Sequence, residues 1–264
     1  MEVITFNRSC GKSTEFHLYP IGDAHLGIKH CAEDMLRKQV RQIQEDKNAL
    51  WIGMGDYGEF ITQRDPRWDV AVIADWVKRD DIAMSQVDYI VDIFKPIRNK
   101  CVGLLEGNHE DAIRVHNDVD VLTRICKGLD VTPLGYSCFV RFVFTRTGGS
   151  NSFIGFFSHG AGWAITKGAK INRLQRLMDA FEADIYAIGH MHDIITDTKP
   201  YLTLNQANEI KQAEKVGAVT GSWFKTYAQG VRASYSEKKN YPPTILGCPV
   251  FIIVPHKRIL RVES

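Results

Sequence analysis

Apolar and polar positions alternate along this chain with two different periods. Three near-continuous apolar runs of strand length, "EFHLYPIG" (15–22), "ALWIGMG" (49–55) and "CVGLLEG" (101–107), predict buried strands. Between the first two, "AEDMLRKQVRQIQEDKN" (32–48) places Met35, Leu36, Val40 and Ile43 on one stripe, which predicts an amphipathic helix. A longer helical pattern covers about 69–98, with a break near Arg79–Asp81, and another covers 111–128. Strands are expected at 137–145 and 152–158, joined by the turn "TGGSN". A helix over 168–183 leads into the strand "DIYAIGH", and the tail from 193 reads mainly as strands and turns. Strand–helix alternation predicts a sheet with helices packed on it. No repeat or low-complexity linker divides the chain, so one domain over 1–264 is expected, with a helical insertion at about 60–98.

Composition adds limits. The 264 residues are 44% hydrophobic and 24% charged, ordinary for a soluble globular protein. A chain of this length buries a core without covalent staples. The net charge of +2 neither demands nor excludes nucleic acid. Six cysteines stand at 10, 31, 101, 126, 138 and 248 with no C-x-x-C pair, and they read as free thiols in a reducing compartment. Cys101 and Cys138 open apolar runs, as small core residues do. The start, "MEVITFNRSC", lacks the basic and apolar regions of a signal peptide, and "CPVFIIVP" is too short to span a membrane. A cytoplasmic protein without a membrane partner is expected.

In sheet-and-helix folds, sites gather beyond the carboxyl ends of the strands. The expected strands here end in "IGDAHLG" (Asp23, His25), "GMGDYGE" (Asp56), "LEGNHED" (Asn108, His109, Glu110), "FFSHG" (His159) and "IGHMHDI" (His190, His192). One H-x-H alone is better explained as a wet strand end, since alternate residues share a side. Five successive strand ends with an acid, amide or imidazole beside glycine are poorly explained by accident. Mixed nitrogen and oxygen donors suit Mn²⁺, Fe or Zn²⁺ rather than Mg²⁺ or Ca²⁺. Seven side chains exceed one tetrahedral site and are about right for two ions sharing a carboxylate.

These blocks resemble the calcineurin-like metallophosphoesterase superfamily, whose ordered pattern is D-x-H, G-D, G-N-H-[DE], H and G-H-x-H. Here they are Asp23-Ala24-His25, Gly55-Asp56, Gly107-Asn108-His109-Glu110, His159 and Gly189-His190-Met191-His192. The resemblance implies an α/β fold, a β-sandwich of two mixed sheets flanked by helices (αββα). It implies two divalent ions, Mn²⁺ first, with Fe, Zn or Ni as alternatives. One would be held by Asp23, His25, Asp56 and His192, the other by Asp56, Asn108, His159 and His190. A metal-bridging hydroxide would attack the phosphoester. His109 would serve the leaving oxygen. Glu110 would either orient His109 or simply begin the next helix, and Met191 would point into packing.

Which phosphoester is less sharply marked. Protein phosphatases of this superfamily grip a phosphomonoester with arginines at positions occupied here by Phe60 and Glu106. Their absence favours a phosphodiesterase acting on nucleic acid or a nucleotide, a nuclease included, over a phosphomonoesterase for a small molecule or phosphoprotein. A non-catalytic metal-binding interaction module is the third reading. Arg64, Arg67 and Trp68 could rim the site, or form an ordinary surface loop. Lys167, Lys170 and Arg173 could touch a polyanion or be a solvated helix face. "VRASYSEKKNYPP" (231–243) suits a nucleic-acid edge and reads equally as a surface loop. "CGKST" is no P-loop, because Phe6 stands where glycine is needed, and "HEDAI" lacks the second histidine of a zinc-protease helix. His17 alternates with apolar residues and is expected to have no ligand role.

Overall fold

The computed structural model describes every residue except 64, 66, 163 and 206. In chain order the elements are β1 (Glu2–Ser9), β2 (Phe16–Ile21), α1 (Glu33–Glu45), β3 (Ala49–Gly53), α2 (Ile82–Phe94), β4 (Cys101–Leu104), α3 (Asn108–Asn117) and α4 (Val121–Leu129). They continue as β5 (Ser137–Arg146), β6 (Gly149–Ser158), α5 (Lys167–Ala180), β7 (Ile185–Ile188), β8 (Ile194–Leu204), β9 (Ile210–Thr220), the single turn α6 (Tyr235–Lys238), β10 (Val250–Val254) and β11 (Ile259–Glu263).

The strands form two mixed sheets, ordered β1-β5-β6-β7-β9-β8 and β11-β10-β2-β3-β4. Their facing sides share one apolar layer, in which Leu18, Leu50 and Ile52 of the smaller sheet meet Val140, Phe142, Ile185 and Val216 of the larger. On the outer face of the smaller sheet, Tyr19, Ile21 and Trp51 pack against Leu36 and Ile43 of α1, Ile90 of α2 and Ile125 of α4. On the outer face of the larger sheet, Phe156, Tyr186 and Val219 meet Leu174 and Met178 of α5. The architecture is therefore α/β, helix–sheet–sheet–helix, as expected. It follows from strands that are apolar on both faces, which must be covered on both.

Several boundaries depart from expectation for local reasons. Leu36, Val40 and Ile43 are buried, but Met35 is 46% exposed, because one residue turns about 100° around a helix and leaves the stripe. The 69–98 stretch is regular helix only over α2 and a 3-10 turn at Lys95–Lys100, with a short 3-10 turn at Val70–Val72 before it. The break near 79–81 is where Asp81 accepts from Met84 N and caps α2. The single helix expected over 111–128 is two, divided by Asp118 in a left-handed conformation (φ 55°) and by Asp120, which caps α4. β1 was not legible as a strand. It is an edge strand parallel to β5, and Val3 is 74% exposed. All six cysteines are free; Cys138 is buried and Cys101 half-buried. Among the described residues no helix is long and apolar enough to cross a membrane.

Candidate metal centre

The carboxyl ends of β2, β3, β4, β6 and β7 converge, and the seven expected ligands come with them. Three groups of donor atoms lie within 4.8 Å of one another: Asp23 with His25 and His192, Asp56 with His159 and His190, and His25 with Asp56 and His109. Asn108 joins the second group, its Oδ1 2.8 Å from His190 Nδ1 and 3.1 Å from His159 Nε2. Met191, between the paired histidines, is buried in packing.

The loops that carry these residues are strained. Asp23, His25, Asp56, His190 and His192 all have positive φ, between 48° and 66°. Side chains other than glycine adopt that region rarely, and it persists only where surroundings impose it. The imposing contacts are interloop hydrogen bonds: Asp23 N to Gly55 O, His25 N to Asp56 O and Trp223 N to Asp23 O. Gly55 (φ 91°) and Gly107 let the loops touch. A Cβ on Gly107 would lie 2.2 Å from Asp56 Oδ1, and one on Gly55 would lie 2.6 Å from Gly107 Cα.

Each aspartate holds a backbone amide with one oxygen and keeps the other for the centre. Asp23 Oδ2 accepts from His190 N at 3.0 Å. Its Oδ1 is buried, completes no hydrogen bond with a described residue, and faces His192 Nε2 at 3.2 Å. Asp56 Oδ1 accepts from His109 N at 2.9 Å, and its Oδ2 lies 3.4 Å from His159 Nε2. The histidines are oriented by their far nitrogens. His159 Nδ1 donates to Met54 O (2.7 Å), His25 Nδ1 to Glu59 Oε2 (2.8 Å), and His109 Nδ1 to Glu59 O (2.6 Å). Such partners fix the three rings and leave Nε2 of His159 and His25 free to serve as the ligand atom, the usual arrangement around metal-binding imidazoles.

The electrostatics agree with a seat for cations. Burial holds His25 and His190 below the usual imidazole value. Burial also acts on His159, but the Asp56 carboxylate outweighs it and raises the ring to about 10, so without a cation this imidazole keeps both protons. Asp56 is held well below the usual carboxylate range, the neighbouring His159 and His109 rings overcoming the cost of burial. His25 and His192 meet Nε2 to Nε2 at 3.0 Å. An orphaned aspartate oxygen, facing imidazole nitrogens and two buried carboxylates form a donor set that divalent cations fit.

The other expected residues are placed as follows. Glu110 is buried, and its carboxylate accepts from Asp56 N, Tyr57 N and Gly107 N at 2.8–2.9 Å. It braces the loop backbones rather than the His109 ring, which meets Glu59 instead. Burial and the charge of Asp56 push its carboxyl up to about 7. Arg67 lines the cavity into which the centre opens and is paired with Asp65 at 2.8 Å; Trp68 lines the same cavity. Lys170 is no solvated residue. It is buried, and its Nζ lies 3.2 Å from Asp193 Oδ2, next to His192, because a buried ammonium needs a partner. Lys167 is exposed in the first turn of α5. Arg64 lies outside the described residues. Glu106, at one of the two positions without the arginine, is paired with Arg114 at 3.3 Å. Phe60 is buried.

Glu59 went unassigned in the sequence, although it stands three residues after Asp56. Its only signal was a place in "GDYGE", which cannot show that its carboxylate and its carbonyl serve two histidines.

Comparisons with known proteins complete the description. No protein-family profile matches the chain, and no curated protein sequence does. Among solved structures it is similar to the NAD nucleotidase NadN of Haemophilus influenzae, with 11% identity and a TM-score of 0.44, over 96% of this chain and 50% of that one. The chain thus spans about half the length of that nucleotidase. It is also similar to Vps29 of Chaetomium thermophilum, with 12% identity and a TM-score of 0.35, over 94% of this chain and 95% of that one.

Proposed function

We propose that the chain is a metal-dependent phosphoesterase whose centre takes two divalent cations, Mn²⁺ foremost. Within that class, the particular reading is a phosphodiesterase acting on a nucleotide or nucleic acid. The observation that carries the class is the divided use of Asp23 and Asp56, each with one oxygen on a backbone amide and the other among imidazoles. Asp23, His25 and His192 form one seat and Asn108, His159 and His190 the other, with Asp56 between them. Cations so held would polarise the phosphoryl oxygens and make an attacking water more acidic.

The chain's own groups do the rest. His109 has its Nδ1 committed to the Glu59 carbonyl, which leaves Nε2 to give a proton to the departing oxygen. Burial lowers its basicity, but Asp56 and Glu59 together raise it above the ordinary value, favouring the protonated form. Glu110 and Glu59 keep the loops and rings in place. For diester over monoester the support is narrower: no arginine stands at 60 or 106 to share a second charge.

The test is a paired assay. Protein stripped of metal and reloaded with Mn²⁺ is given bis-p-nitrophenyl phosphate and p-nitrophenyl phosphate. Faster diester cleavage is expected. Faster monoester cleavage would replace the particular reading with a phosphomonoesterase. Inertness toward both, with two ions bound, would overturn the class.

A further inference from the structure

The centre opens into a cavity of about 720 Å³, which His25, Asp56, His109, His190 and His192 line in part and which is within the range of small-ligand pockets. Phe224 lines this cavity next to the centre. Its ring centroid is 5.4 Å from that of His25 and 5.7 Å from that of His192, while His30 is stacked on it at 5.8 Å and 24°. Trp68, half-buried, and Tyr235, 48% exposed, also line the cavity. His30 is 1% exposed, lines the same space, and neither ring nitrogen completes a hydrogen bond of good geometry with a described residue, though the Arg232 backbone lies near enough to influence it. The buried Thr244 hydroxyl oxygen is in the same position. Unpaired buried polar groups cost free energy, and folded proteins keep them where something else completes them.

We infer that this cavity is a nucleobase chamber, and that the substrate is a single nucleoside phosphoester whose base lies against Phe224, Trp68 and Tyr235 and is hydrogen-bonded by His30 and Thr244. A neutral imidazole offers one donor and one acceptor, and a hydroxyl offers both, which is what the edge of a base requires. Aromatic faces supply stacking that any base can use. The phosphate then lies at the centre, at the end of the same cavity lined by His25, Asp56 and His192. The flanks of the chamber, residues 67–73 and 224–244, are tied by Arg232 Nε to Asp69 Oδ2 at 2.8 Å. Tied flanks suit one nucleoside better than the continuous path of a strand. The placement of the phosphate rests on the phosphoesterase reading; the placement of the base does not.

The test is equilibrium binding to the full Mn²⁺-loaded chain of adenosine, guanosine, cytidine and thymidine, with ribose and inorganic phosphate as controls. At least one nucleoside should saturate at one per chain while ribose does not. His30→Leu should weaken it tenfold or more. Trp68→Ala, at a half-exposed position, should do the same and carries the test where the buried substitution does not fold. Binding of no nucleoside, ribose binding as tightly, or wild-type affinity in the folded variants would overturn the chamber. Cleavage of covalently closed single-stranded DNA circles as fast as of mononucleotide p-nitrophenyl esters would overturn the commitment to a single nucleoside. Inertness toward both bis-p-nitrophenyl phosphate and p-nitrophenyl phosphate, with two ions bound and nucleoside binding intact, would sink the phosphoesterase reading alone.

Discussion

The strands β2 and β3 end in polar residues on both sides of the molecule, and the two ends are built on opposite terms. At the amino ends, His17 Nδ1 meets Asp46 Oδ2 at 2.5 Å and its Nε2 meets Glu15 at 3.3 Å. Lys100 Nζ donates to the carbonyls of Ile43, Gln44 and Asp46 at 2.6–2.9 Å, closing the carboxyl end of α1. Every one of these polar groups is paired, and none of these residues has positive φ. At the carboxyl ends of the same strands, Asp23, His25 and Asp56 are left-handed, Asp23 Oδ1 is orphaned and two imidazoles face each other. A histidine with two acid partners is a structural histidine. Histidines tied at one nitrogen and facing other donors with the second, on strained backbone, are the arrangement on which the proposed cation centre rests.

That contrast predicts a graded series of effects. Asp56→Ala should reduce turnover to background and lower bound Mn²⁺ at both seats, read by metal analysis after gel filtration. His109→Ala should keep both cations and lose roughly 10²–10⁴-fold in kcat; an unchanged kcat would remove its catalytic role. Glu110→Ala strips the acceptor from three buried amides and should cost about 3 kcal/mol or more in denaturant unfolding. A surface-like loss of a few tenths would show that the loops hold themselves. The smallest effect belongs to the amino ends. Burial lowers the His17 pKa, but Asp46 and Glu15 outweigh it, so the folded value is raised. A raised value means that its stabilisation is complete below about pH 6.5, the unfolded value, and fades as pH rises through the folded one. His17→Gln should therefore cost under about 1 kcal/mol at pH 5.5 and less at pH 8.5, since the pair is partly solvated.

The layered fold was legible because apolar runs and one clear helical stripe carry it: Leu36, Val40 and Ile43 lie where the period puts them. Edge strand β1 was not, since an edge strand with one covered face has a weak pattern. The ligand candidates were legible as residue types at strand ends. Their left-handed backbones were not, because the interloop hydrogen bonds that impose them join positions as far apart as 23 and 223. Lys170 read as a surface lysine because its partner, Asp193, lies 23 residues on. His30 and Phe224 met only in three dimensions; neither has a neighbour in sequence that marks a chamber.

The central claim is that Asp56 stands between two cations. Anomalous diffraction at the manganese edge, from crystals grown with Mn²⁺, tests it directly. Two peaks are predicted, one among Asp23, His25 and His192, the other among Asn108, His159 and His190, both in contact with Asp56. A single peak that leaves Asp56 untouched, or no peak among these side chains, would contradict it.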